Sequence, residues 1–188
     1  MSVYQVALTD QQHAVRLSAA YLRSVVRRTL ASERVAGATI SLALVDDATI
    51  HEVNRNHLGH DYPTDVISFL FSATARSRVA NNRVAGNRGR GTGVRSLENV
   101  VPRLATVSGP MLGRGLMLDG ELIVSGETAL RESPQAHWTA QAELTLYIVH
   151  GLLHLCGYDD QTKAARKLMR ERERAIMQLW RWNRATEE

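Results

Sequence analysis

The segment Glu143 to Asp160, ELTLYIVHGLLHLCGYDD, places His150 and His154 four residues apart. On an α-helix that spacing stacks two side chains on one face, close enough to share a metal ion. Neutral imidazoles suit Zn²⁺ well. Gly157 follows three residues after His154, where a left-handed position past the helix end turns the chain back and aims residues 159 and 160 at the same ion. Asp160 is then the natural third ligand. Three protein ligands and one water make an open, catalytic zinc site, one ion per chain, in which the cation polarises an oxygen and lowers the pKa of its water toward neutrality. The alternative is two histidines at the edge of a core, satisfied by hydrogen bonds. The added glycine and aspartate weigh against it.

The arrangement H-x3-H-x2-G-x2-D has the spacing of metzincin proteases, whose third histidine falls at the Asp160 position. Those enzymes need a glutamate directly after the first histidine as general base, and here that residue is Gly151. Peptide hydrolysis by that mechanism is therefore disfavoured. Cys156 is two residues from His154, about 200° around a helix, so it faces away from the metal and packs in the core.

The elements that must position these residues follow from hydropathy patterning. Val3 to Leu8 alternates as a short strand, and Asp10 is placed to cap a helix from about Gln11 to Ala31 with Val15, Leu17, Leu22, Val25, Val26 and Leu30 on its apolar face. Ala38 to Val45 is rich in strand formers, and Asp46 or Asp47 is placed to cap the next helix, which carries Ile50, Val53 and Asn54. The loop HLGHDYPTD leads into VISFLF, and Pro63 biases Tyr62 toward an extended conformation. A strand returns at Met117 to Ser125, then a helix at Glu127 to Arg131 that Pro134 stops, a helix from about Trp138 to Leu155, and a last one from about Gln161 to Trp182. In that tail Leu168, Ile176 and Leu179 are expected to dock on the core, and Trp138, Trp180 and Trp182 read as packing residues.

With 188 residues, 44% hydrophobic and 22% charged, the chain fits one globular domain and excludes a disordered, collagenous or coiled-coil protein. One cysteine excludes an internal disulfide framework. No apolar run approaches the length of a membrane helix and no signal peptide precedes Asp10. A cytoplasmic protein without a membrane partner is expected. The net charge of +4 is unevenly spread: eight arginines and one acid, Glu98, lie between Arg76 and Arg114, so that stretch carries +7 and the remainder −3. Residues from about 73 to 115, rich in Asn, Gly, Arg and Ser, read as a flexible insertion, either an RNA-binding arm or a solvated loop.

HGLLHLCGYDD resembles the HGxLHLxGYDH signature of the YbeY family of bacterial rRNA-maturation endoribonucleases. VNRNHLGHDYPTDVISF, from Val53 to Phe69, is similar to that family's LNxxYRGKDxPTDVLSF, and DGELIVSGETA from Asp119 to its GDIxIxxExA strand. The resemblance implies a single α+β domain, a small mixed sheet packed with about five helices, and a metal site at a helix C-terminus. It implies a zinc-dependent hydrolase, an endonuclease specific for single-stranded RNA. Its substrate would be ribosomal RNA, with the small ribosomal subunit and its assembly proteins as partners and no DNA. His150 and His154 match the family's first two metal histidines, while Asp160 stands where the family usually has histidine. Carboxylate oxygen ligates zinc at similar distance, and the change makes the site more anionic.

In the loop, Leu58 stands where family members usually show an arginine. Arg55, His57 and His60 are the nearby groups that could replace it, since a protonated imidazole can donate to a phosphate oxygen. Arg55, Thr64 and Ser68 are candidate substrate-binding residues, and His57, His60 and Asp65 candidate catalytic ones. The sequence does not fix the general base. A non-catalytic ribosome-assembly or RNA-binding module with a structural metal is the competing reading, and Leu58 favours it.

Overall fold

Strand residues alternate between two faces, so a run such as Gly37–Val45 must choose which side each apolar residue covers. In the computed structural model, which describes residues 3–75 and 114–180, Ala38, Ile40, Leu42 and Leu44 face the main core, whereas Ala43 and Val45 face a smaller cluster on the other side. The described elements are β1 (Val3–Asp10), α1 (Ala19–Ser32), β2 (Gly37–Val45), α2 (Asp47–Val53), a π-helical turn (Asn54–Leu58), β3 (Val66–Ala75), β4 (Leu116–Ser125), α3 (Gly126–Glu132), α4 (Ala140–Leu155), α5 (Lys163–Met177) and a 3₁₀ turn (Gln178–Trp180). The strands form one mixed sheet in the order β1-β2-β4-β3, with β1, β2 and β4 parallel and β3 antiparallel to β4. This is the expected α+β class with its small sheet and five helices.

Helix α4 is the centre of the fold. It packs on β3 and β4 and touches α1, α3 and α5, and it is buried on nearly every side through Leu144, Ile148, Val149, Leu152 and Leu153. The opposite sheet face is covered by α2, where Ile50 meets Val45 and Ile67. Asp47 ties α2 to the end of β4 and to α3: its Oδ1 accepts from Ser125 Oγ at 2.5 Å and Thr128 Oγ1 at 2.7 Å, and Arg131 pairs with its other oxygen.

Three expectations need correction. Asp10 ends β1 instead of capping α1; the cap is Ser18, whose hydroxyl accepts from Tyr21 N. Between them Gln12 folds back on the chain, donating to Val15 O at 2.7 Å and accepting from Val15 N at 2.8 Å. Val15 and Leu17 therefore precede the helix, although Val15 is still in the core. Secondly, β3 continues to Ala75, because residues 72 to 75 keep pairing with β4 after a register shift at Leu70/Ser72. The stretch expected as an insertion otherwise lies outside the described residues from 76 to 113. Thirdly, α5 docks through Met169, Ile176 and Met177, with Leu168 and Leu179 exposed. Regular α-helix ends at Met177, and Trp182 lies outside the described residues. No described helix is long and apolar enough to cross a membrane.

Candidate metal centre

The last two turns of α4 carry His150 and His154 on one side. Cys156 caps the helix, Gly157 follows at φ +93°, and two reversed hydrogen bonds close the end: Gly157 N to His154 O at 2.8 Å and Tyr158 N to Leu153 O at 3.0 Å. That is a Schellman motif, which a residue with a Cβ would strain at position 157. The chain then runs back, and Asp159 Oδ1 accepts from Asp160 N at 2.8 Å and Gln161 N at 3.1 Å. Arg166 Nε donates to Asp160 O at 3.1 Å. Held on both sides, Asp160 reaches the histidines: one ligand atom each from His150, His154 and Asp160 lies within 4.8 Å of the others.

The imidazoles are oriented from behind. His150 Nδ1 is 2.7 Å from Glu173 Oε1, and His154 Nδ1 is 3.0 Å from Tyr158 O. Both partners can only accept, so each Nδ1 carries a proton and each Nε2 is turned inward, the two Nε2 atoms 3.0 Å apart and placed to share a proton or a cation. Converging nitrogen lone pairs beside a carboxylate are the donor set of a divalent metal, with the outer hydrogen bonds that usually fix such ligands. Burial opposes protonation of His150, but the bond to Glu173 and its charge outweigh it and raise the pKa. Burial and the neighbouring His150 lower that of His154.

The cluster stands between two cavities that share His150 and Asp65. One, of about 280 Å³, is bounded by Leu58, Val66, Ile67 and Ser68. The other, about 300 Å³, has Arg166, Arg170 and Glu173 of α5 in its wall. Asp65 Oδ1 accepts from Thr64 Oγ1 at 2.9 Å and from Val66 N at 2.8 Å. Arg55, His57 and His60 are exposed and line neither cavity. His57 meets the edge of Phe69, and His60 stacks on Tyr62. Asn54, buried at the start of the π-helical turn, shapes this loop by donating to Tyr62 O at 2.8 Å. Cys156 is buried and its thiol is pushed up to about 12 by burial, so it takes no part in the chemistry.

Glu173, Arg166 and Arg170 are absent from the sequence-based reading. A signal existed for Glu173, which lies between Met169 and Ile176 on the apolar face of an otherwise charged helix. Gly151 explains the missing protease glutamate. A Cβ there would stand 2.7 Å from Leu122 Cδ2 and 3.0 Å from Val66 Cγ2, so the position faces the sheet and has no room for a catalytic carboxylate.

The family profile described as endoribonuclease YbeY matches residues 6–181. Endoribonuclease YbeY of Moorella thermoacetica is 36% identical over 157 residues, which cover 83% of this chain and 82% of that one. The Salinibacter ruber protein of the same name is 31% identical, covering 87% and 85%. That of Rhodopirellula baltica is 34% identical over 75% of this chain, which spans about half, 53%, of the longer protein. The solution structure of TM1509 from Thermotoga maritima is similar over 95% of this chain and 91% of that one, at 18% identity and a TM-score of 0.49. A profile match that spans α4, its glycine turn and the Asp160 loop, together with relatives 36% and 31% identical over 83% and 87% of the chain, places this chain in the endoribonuclease YbeY family.

Proposed function

We propose that the chain is a metal-dependent endoribonuclease that cuts single-stranded RNA during ribosomal RNA maturation, in the cytoplasm, with the small ribosomal subunit and its assembly proteins as partners. The reading takes residues 1–188 as one catalytic domain, in which the insertion expected at about residues 73–115 falls largely outside the described residues. The observation that carries it is the convergence of His150, His154 and Asp160 within 4.8 Å between two open cavities. These three residues would hold one Zn²⁺. When bound, the ion supplies Lewis acidity and a water of lowered pKa.

The remaining work falls to this chain's own side chains. Asp65 borders both cavities beside His150, and its Oδ2 has no partner among the described residues, so it is the best-placed proton acceptor. Thr64 positions it, and Ser68 offers a hydroxyl to substrate in the Leu58 cavity. A metalloprotease has no support at position 151.

Elemental analysis of protein prepared without chelator, paired with single-turnover cleavage of a short single-stranded RNA, tests the reading. His154→Ala and Asp160→Ala are expected to lose both metal and cleavage. Asp65→Asn is expected to keep the metal and slow cleavage by about 10²–10⁴-fold, the usual contribution of a general base. Metal-replete wild type that binds this RNA without cutting it makes the assembly module with a structural metal the better account; the exposed Leu58 beside the histidines favours that second reading.

A further inference from the structure

The two cavities flanking the cluster differ in charge. On the β3 side the wall is Leu58, Val66, Ile67 and Ser68, with no lysine or arginine. On the α5 side Arg166 and Arg170 are one helical turn apart on the face that also carries Met169 and Glu173, which brings their Cβ atoms to about 5–6 Å of each other. Arg166 spends its Nε on Asp160 O, leaving both Nη groups. Arg170 has neither a hydrogen bond nor an ion pair among the described residues. Of the three acids in that wall, Glu173 holds His150, Asp160 belongs to the metal cluster, and Asp65 accepts from Thr64 Oγ1 and Val66 N through one of its oxygens.

We propose that Arg166 and Arg170 form a phosphate-binding subsite, which seats a backbone phosphate of single-stranded RNA adjacent to the one placed over His150, His154 and Asp160. The proposal rests on the endoribonuclease reading above. Guanidinium groups are suited to it because their planar fork makes paired, charge-assisted hydrogen bonds to phosphate oxygens. The subsite supplies from α5 the fixed positive charge that the Leu58 cavity lacks. Three carboxylates (Asp65, Asp160 and Glu173) border the same cavity, so without a divalent cation they offset the arginines and phosphate affinity is low. Anion binding here depends on metal and arginines together.

The experiment uses metal-replete full-length protein and a short labelled single-stranded RNA, measured by anisotropy and by single-turnover cleavage in the same samples. Arg170→Ala and Arg166→Ala/Arg170→Ala are compared with wild type and with Arg27→Ala, an exposed α1 arginine outside either cavity. Arg170→Ala is expected to need several-fold more RNA for half-saturation with metal content close to wild type, and the double variant roughly tenfold more when compared at equal metal occupancy. The slope of log affinity against log salt should fall by about 0.7 for each arginine removed, as for loss of single-strand phosphate contacts. Arg27→Ala should leave the slope unchanged. Wild-type affinity and salt slope in the double variant overturn the subsite while leaving the enzyme reading intact. Loss of affinity confined to variants of Arg166, in proportion to lost metal, overturns it too and makes Arg166 a brace for the Asp160 loop. Wild type that neither binds nor cuts the RNA removes the functional reading and the subsite with it.

Discussion

The Nε2 atoms of His150 and His154 face each other at 3.0 Å, while both Nδ1 atoms are committed to acceptors. Two bare lone pairs at that distance repel, so the pair holds either one proton or a cation. Glu173 keeps that proton on His150, whose pKa is raised, whereas burial and the charge of His150 depress His154. A raised folded pKa stabilises the metal-free fold below the unfolded value, about 6.5, and the contribution is lost as pH rises through the folded pKa. His154 works oppositely below about pH 6.5, where the unfolded chain takes up a proton that the fold refuses. The net fall in apo stability is therefore confined to the interval from about pH 6.5 up to the folded pKa of His150. Proton and metal compete for the same nitrogen, so the rise in Tm on adding zinc should be small near pH 6 and grow across that interval. Thermal unfolding with and without one equivalent of zinc checks it, and a metal-linked shift that is flat or shrinks with rising pH contradicts it.

Glu173 is expected to matter for metal affinity more than for folding. Its carboxylate raises the basicity of His150 and fixes the ring, and loss of such an outer partner typically weakens metal binding about 10–100-fold. Glu173→Gln preserves size and can still accept from Nδ1, so its loss should lie toward the lower figure, with Glu173→Ala toward the upper. Competition against a chelator at pH 8 measures both. Zinc affinities equal to wild type in both variants would show that His150 is oriented by packing alone.

Much of this centre was legible in the sequence because its logic is local. His150, His154 and Gly157 are fixed by helical spacing and by one left-handed residue, and Asp160 by the reach of the turn between them. What was not legible depends on distant partners. Gln11 to Leu17 has helix-like spacing, yet the Gln12 side chain closes on the Val15 backbone and delays α1 to Ser18. On α5 the neighbours Leu168 and Met169 differ by about 100° of rotation, and choosing the leucine turned the docking face away from Glu173. That glutamate then read as one more solvated charge. The antiparallel pairing of β3 with β4 has no signature in either strand.

Gly151 is a packing requirement as well as the reason no protease glutamate is present. An added Cβ would meet Leu122, which is fully buried and has little space to move. Overpacking of this kind costs about 1–3 kcal/mol, and the gain in helix propensity from replacing glycine returns about 1 kcal/mol. Gly151→Ala should therefore lose up to about 2 kcal/mol in urea unfolding, with an unchanged m-value. Gly151→Glu should lose more and gain no casein hydrolysis. A Gly151→Ala protein more stable than wild type would mean that α4 can lift from the sheet at no cost.

Glu33 links the metal loop to two helices. Its carboxylate, 1% exposed at the end of α1, accepts from Tyr158 Oη at 2.9 Å and from Arg172 Nε of α5, while Arg172 Nη2 donates to Ser32 O at 2.8 Å. Burial first, then the bond to Glu33, pushes the Tyr158 phenol up to about 12, so it remains a donor at every working pH. Truncating one member of a buried pair costs about 3–5 kcal/mol when the remaining charge is stranded. Arg172 is 30% exposed and can regain water, which puts Glu33→Ala at or below about 3 kcal/mol. Because Tyr158 O also orients His154, the same variant should weaken zinc binding, and Tyr158→Phe, which keeps that carbonyl, should weaken it less. Urea unfolding of Glu33→Ala, Arg172→Met and the double variant gives the coupling directly. Strict additivity would show that the contact contributes nothing, a double variant less damaged than the sum would measure the coupling, and one more stable than Glu33→Ala alone would locate the cost in the stranded arginine.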